Sequence, residues 1–137
     1  MNKNSVRESA FTLIELLVVI SIIGILIALS IFGLQGARTA SRDARRKADL
    51  EQIRSALEIY KSDCSKYPDA LDWGGTLVGG VTPPLASCSS DNTYMAQVPN
   101  DPLAPNQGYT YSKSDDTHYS LCATLEQTAA SYCVSNP

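Results

Sequence analysis

Few residues in this chain have the type and spacing for chemistry. It carries one histidine, one tryptophan and four cysteines. His118 and Ser120 lie two apart in a strand-like stretch and share a face, but side-by-side placement does not make a nucleophile–base–orienter array. No C-x-x-C occurs, and with one histidine no zinc-type spacing can be assembled. Asp115 and Asp116 are adjacent acids in the turn-like string SKSDDT. A solvated turn suits them better than a cation site, because calcium takes about six to eight oxygen ligands. Asp101, before Pro102, suits a turn cap. These residues argue against an enzyme and imply neither a cofactor nor a metal. The remaining candidate is Glu15, the lone acid inside FTLIELLVVISIIGILIALSIF. A carboxylate within a membrane-length apolar run is costly unless it lies near the end of the span or meets a cation.

The cysteines, Cys64, Cys88, Cys122 and Cys133, all follow that run. An even number of them in a small loop-rich region points to disulfides and an oxidising, exported location. Four cysteines allow three pairings. Cys64–Cys88 and Cys122–Cys133 are favoured because each closes a local loop, and four buried free thiols are the alternative.

These residues must be positioned by a small number of elements. Residues 11–34 form an apolar stretch that, as a helix, spans about 36 Å, enough for a bilayer core of about 30 Å. A secretory signal peptide places its small-residue cleavage site after the apolar run. Here Ser9 and Ala10 precede it, so cleavage there leaves the anchor on the mature chain. Basic residues flank both ends, Lys3 and Arg7 before and Arg38 to Lys47 after. The positive-inside rule alone puts the C-terminus inside, whereas the cysteines put it outside, and the cysteines are given more weight.

The string AFTLIELLVVISIIGILIA resembles the class III signal of type IV pilins and type II secretion pseudopilins. In that family a prepilin peptidase cuts before a phenylalanine, the new amino terminus is N-methylated, and a glutamate stands fifth in the mature chain. The resemblance implies a leader of residues 1–10, cleavage between Ala10 and Phe11, methylation of Phe11, and Glu15 in the fifth position. It further implies assembly in which the Phe11 amine of one subunit meets Glu15 of a neighbour. Ala10 departs from the usual glycine, and where many members have a proline about twenty residues into the mature chain, this helix interior has Gly24, Gly33 and Gly36 and no proline. ARTASRDARRKADLEQIRSALEIYKSDCSKYPDAL, with Ala56, Leu57, Tyr60, Tyr67 and Pro68, is similar to the family's basic helix and Y-P turn, and VPNDP leading to YTY is similar to its turn into the sheet. Secretion pseudopilins often bind calcium in a C-terminal loop with D-G and further glycines. This chain has no D-G and no glycine after Gly108. With the cysteines, that departure favours the pilin over the secretion member.

Beyond the apolar run, Ala37, Ala40, Ala44, Ala48, Leu50, Ile53, Leu57 and Tyr60 recur at spacings of mostly three or four, the helical period. One helix is expected from about Phe11 to Asp63, apolar through residue 34 and amphipathic over 35–63, with Leu50, Ile53, Leu57 and Tyr60 facing a sheet. Arg45, Arg46 and Lys47 read as a solvated face or as contacts to acidic residues of adjacent subunits. Residues 64–137 are expected to form a head: a Gly- and Pro-rich loop anchored by Trp73, Leu77 and Cys88, then strands at Tyr109–Tyr111, Tyr119–Leu121 and Ser131–Val134. The fold class is α+β, a long helix on a small antiparallel sheet. The distal region is acidic, which argues against nucleic acid.

The resemblance implies a structural subunit of a type IV pilus-like filament. The precursor would sit in the inner membrane with its head outside, and the filament at the cell surface. Its partners would be copies of itself, the prepilin peptidase, an assembly platform and an ATPase. A type II secretion pseudopilin and a minor tip pilin serving adhesion or DNA uptake are the alternatives.

Overall fold

A computed structural model describes residues 11–80 and 85–136. The chain divides into two compact units, one ending at Arg38 and the other beginning at Thr39. Helix α1 runs from Leu13 to Cys64, 52 residues without interruption. Gly24, Gly33 and Gly36 lie inside it without breaking it. In the first unit its described apolar side chains are exposed, Phe11 at 88 % and Leu29 at 68 % among them. The polar residues in that run look after themselves: Ser21 Oγ donates to the Leu17 carbonyl at 2.7 Å and Ser30 Oγ to the Leu26 carbonyl at 2.8 Å. Back-bonding of this kind keeps a hydroxyl satisfied where no water is at hand.

In the second unit α1 buries one face. Leu50, Ile53, Leu57, Tyr60 and Cys64 are each at most 4 % exposed, and their spacing alternates three and four. Ala44 and Ala48 face solvent instead. The buried face continues toward the N-terminus as Asp43, Arg46 and Asp49 rather than as alanines. The helix ends after Cys64, where Ser65 turns into the left-handed region (φ 64°) and its amide still reaches the Lys61 carbonyl at 2.8 Å. Pro68 follows closely and bars a further turn.

The sheet that covers this face has three antiparallel strands in the order β3 (Thr110–Asp115), β4 (His118–Thr124), β5 (Ser131–Ser135). In β4 the alternate residues Tyr119, Leu121 and Ala123 are buried, and Val134 joins them from β5. This is the period-two pattern of a half-buried strand. Together with the α1 ladder they form one hydrophobic core.

The stretch between helix and sheet is more structured than its glycines and prolines suggest. It contains β1 (Leu77–Val78) paired antiparallel with β2 (Thr93–Met95), and a short 3-10 turn at Ala86–Cys88. Gly79 is required there, since a Cβ would collide with the Ser89 carbonyl oxygen. Leu77, Cys88, Met95 and Val98 bury themselves in the same core. The segment is tied to the end of α1 at several points. Cys64 bonds Cys88, Ser87 Oγ donates to the Asp63 carbonyl at 2.6 Å, and the Tyr60 and Tyr94 rings meet edge to face at 5.1 Å.

Candidate assembly site and the charged joint of the head

Glu15 lies in the first turn of α1, and the local string T-L-I-E determines its surroundings. The Thr12 amide donates to Glu15 Oε2 at 2.9 Å, Thr12 Oγ1 donates to the same oxygen at 2.8 Å, and the Glu15 amide donates to Thr12 Oγ1 at 3.3 Å. This reciprocal arrangement is a capping box, which satisfies donors that the first helical turn leaves open. An acid at that end also complements the helix dipole. Among the described residues no lysine or arginine pairs with Glu15, in contrast to the acids of the head. Phe11, Ile14, Glu15, Val18 and Val19 line one shallow apolar groove. The helix passes the length and composition test for crossing a membrane, with a mean hydropathy of 2.9 over its most apolar 18-residue window and none of that window buried. Ala10 and the rest of residues 1–10, where the leader is expected, fall outside the described residues.

The second charged site is Arg46, which the sequence placed on a solvated or subunit-contacting face. The structure corrects this, because its side chain is fully buried within its own chain. It lies on the i+3/i+4 ladder that continues into Leu50 and Ile53. Its Nε donates to Asp101 Oδ2 at 2.7 Å and its Nη2 to Asp101 Oδ1 at 3.0 Å and Gln107 Oε1 at 3.0 Å. Its Nη1 donates to Asp43 Oδ1 at 2.7 Å and Glu126 Oε1 at 2.6 Å. A guanidinium has five N–H donors, and here all five have acceptors. Arg42 adds a second cation, bonding both oxygens of Glu126 at 2.8 and 2.6 Å. Asp43 in turn accepts the amides of Glu126 at 2.9 Å and Gln127 at 3.0 Å. Asp101 also accepts the Leu103 amide at 2.8 Å, the turn-capping role expected of it.

The electrostatics follow the contacts. Hydrogen bonds from Arg42, and then Arg46, hold the Glu126 carboxyl at a pKa of about 2, against an ordinary 4.5. Burial alone would raise Asp43 and Asp101. Amides and Arg46 outweigh it at Asp43, and Arg46 and the Leu103 amide do so at Asp101, so both end below their ordinary value. Arg46 is pushed further up by Asp101 first, then by Glu126 and Asp43. Of its neighbours in sequence, Arg45 is exposed at 3.9 Å from Asp49, and the Lys47 ammonium stands 5.5 Å from the centre of the Tyr132 ring.

The remaining candidates are accounted for. Cys122 and Cys133 sit opposite each other on β4 and β5 and are bonded, as are Cys64 and Cys88. His118 Nδ1 lies 2.8 Å from Asp115 at the β3–β4 turn, while Ser120 Oγ lies 3.5 Å from Cys122 Sγ, so the two take no part in a common array. The calcium that the resemblance associates with a C-terminal loop does not fit this donor set. Glu126 is the only acid in the β4–β5 loop, and both its oxygens are bonded to arginines. At the β3–β4 turn Asp115 is taken by Thr117 and His118, and Asp116 pairs with Lys113 at 2.7 Å.

Comparison with known proteins gives two family matches in sequence order. Residues 6–34 match the prokaryotic N-terminal methylation motif, and residues 34–128, more than half the chain, match type II secretion system protein G. Among curated proteins, the type II secretion system core protein G of Dickeya chrysanthemi is 34 % identical over 97 residues, covering 70 % of this chain and 63 % of the relative. That of Escherichia coli K12 is 34 % identical over 97 residues (70 % and 67 %), and that of Vibrio cholerae 29 % over 103 residues (75 % and 70 %). The chain thus spans a little under two thirds of the Dickeya relative's length. No solved structure matches it. Of the two branches the sequence pointed to, the matches fall on the secretion branch. With a prepilin-type methylation motif opening a helix that buries its distal half against a small sheet, the chain belongs to the type II secretion protein G family.

Proposed function

We propose that this chain is the structural subunit of a pseudopilus-like filament. A prepilin peptidase removes residues 1–10, Phe11 becomes the methylated amino terminus, and the subunit waits in the inner membrane with its head on the outer side. Copies of the chain then associate through the apolar half of α1, driven by a platform protein and an ATPase. The protein performs no reaction of its own.

The observation that carries this reading is Glu15, the one acid in the apolar, exposed half of α1, bonded among the described residues only to Thr12 and lining the same groove as Phe11. Holding a charge in lipid is costly unless a partner replaces the solvation it has lost. A new amine at Phe11 of a neighbouring copy is such a partner, at a fixed distance along the chain. The methylation motif and the secretion relatives support the same reading.

The test is mass spectrometry of filaments sheared from cells that express the full chain. An abundant species starting at N-methyl-Phe11 is the expected result. A mature chain that starts elsewhere, or one that never enters sheared material, contradicts it.

A further inference from the structure

We infer that Arg46 is a built-in structural cation, which fixes the β4–β5 loop and the 101–107 turn to α1 without a divalent ion. Three segments distant in sequence converge on it: the helix through Asp43, the turn through Asp101 and Gln107, and the loop through Glu126. Each contributes oxygens, as ligands would to a metal, but the positive charge at the centre is a side chain of the same chain. All five guanidinium donors are used, so the cation is saturated. The loop gains two further anchors. Asp43 accepts its Glu126 and Gln127 amides, and the Cys122–Cys133 bond closes its stem. Its only carboxylate is occupied by Arg42 and Arg46, and an incoming divalent ion would first have to displace both arginines.

A guanidinium differs from a bound ion in one practical respect: it cannot be removed by a chelator. It is present in the chain from synthesis, and its effect does not depend on the ion content of the compartment. Loop order in this protein is therefore independent of calcium supply. This inference concerns the head alone and stands or falls separately from the filament reading.

The experiment uses the full chain in detergent. Thermal unfolding is followed by circular dichroism in millimolar calcium and in excess EDTA. The expected result is one melting temperature in both, with Arg46→Met melting ~10 °C or more lower, as befits three carboxylates left without their buried partner. A drop in the wild-type melting temperature on adding EDTA overturns the inference, and so does an Arg46→Met chain that melts like the wild type. In case Arg46→Met does not fold, Glu126→Gln is the milder variant. Amide hydrogen exchange at residues 125–130 should quicken in it, while exchange in Leu50–Tyr60 stays slow. Unchanged exchange at 125–130 overturns the inference as well.

Discussion

Glu15 and Arg46 are charged residues of the same helix in opposite situations. Glu15 is exposed among apolar side chains, and among the described residues its bonds go no further than Thr12, three residues away. Arg46 is fully buried, and its partners stand up to 80 residues away. A buried charge that is saturated within its own chain can only be structural, because it has no donor left to offer. A charge stranded on an apolar surface with a single local partner has capacity to spare. The contrast separates a residue that organises one copy from the residue proposed above to act between copies.

The sharpest way to break that comparison is Glu15→Ala. Filaments should be lost almost entirely, while membrane insertion and the thermal unfolding of the head stay as in the wild type. Electron microscopy of sheared material, with membrane fractionation, reads both halves. Normal filaments from this variant would remove the assembly role. Next in size is Asp101→Asn, which takes away the bidentate partner of Arg46. It should destabilise the head by about 3 kcal/mol in denaturant unfolding, since breaking a buried ion pair leaves its partner uncompensated, and should leave the insertion of the apolar half unaltered.

A third prediction concerns pH. The Asp43, Asp101 and Glu126 carboxyls are all held below their ordinary values in the fold. The unfolded chain therefore binds more protons in the acid range, and their stabilisation is complete above the usual carboxylate range. It drains away as pH falls from about 4.5 toward about 2, the two limits for Glu126. Glu126→Gln should flatten that part of an acid-unfolding curve. The share of Asp115, lowered to about 2 mainly by bonds from Thr117, should persist. The smallest expected effect repeats the exposed-versus-buried contrast in the disulfides. Cys133 is exposed and Cys122 half-buried, whereas Cys64 and Cys88 are at most 2 % exposed. Under limiting dithiol, alkylation and peptide mapping should find Cys122 and Cys133 modified well before Cys64 and Cys88.

What could be read in the sequence divides along the same line. The helix, its stop near Pro68 and the three final strands are local patterns, and each lies within a few residues of where periodicity, the proline and strand alternation put it. The short β1–β2 pair was hidden because two- and three-residue strands set among glycines and prolines carry no period. Arg46 was misplaced for a different reason. In a string such as RDARRK a basic residue is ordinarily solvated, and Asp101 and Glu126 cannot be assigned to it without the fold. One signal was available: Arg46 is four before Leu50 and seven before Ile53, on the face already marked as buried, whereas Ala44 and Ala48 are not on that ladder. Alanine was read as apolar and arginine as exposed, and spacing would have outranked both.

The back-bonded serines of the apolar half have a mechanical consequence. Between Leu16 and Leu34 the only side-chain hydroxyls, Ser21 and Ser30, direct their hydrogens at carbonyls of their own helix. Neither serine keeps its hydrogen for a bond to another helix. Contacts made through this stretch would therefore rest on dispersion, which has no directional bond to break and re-forms after a small slide.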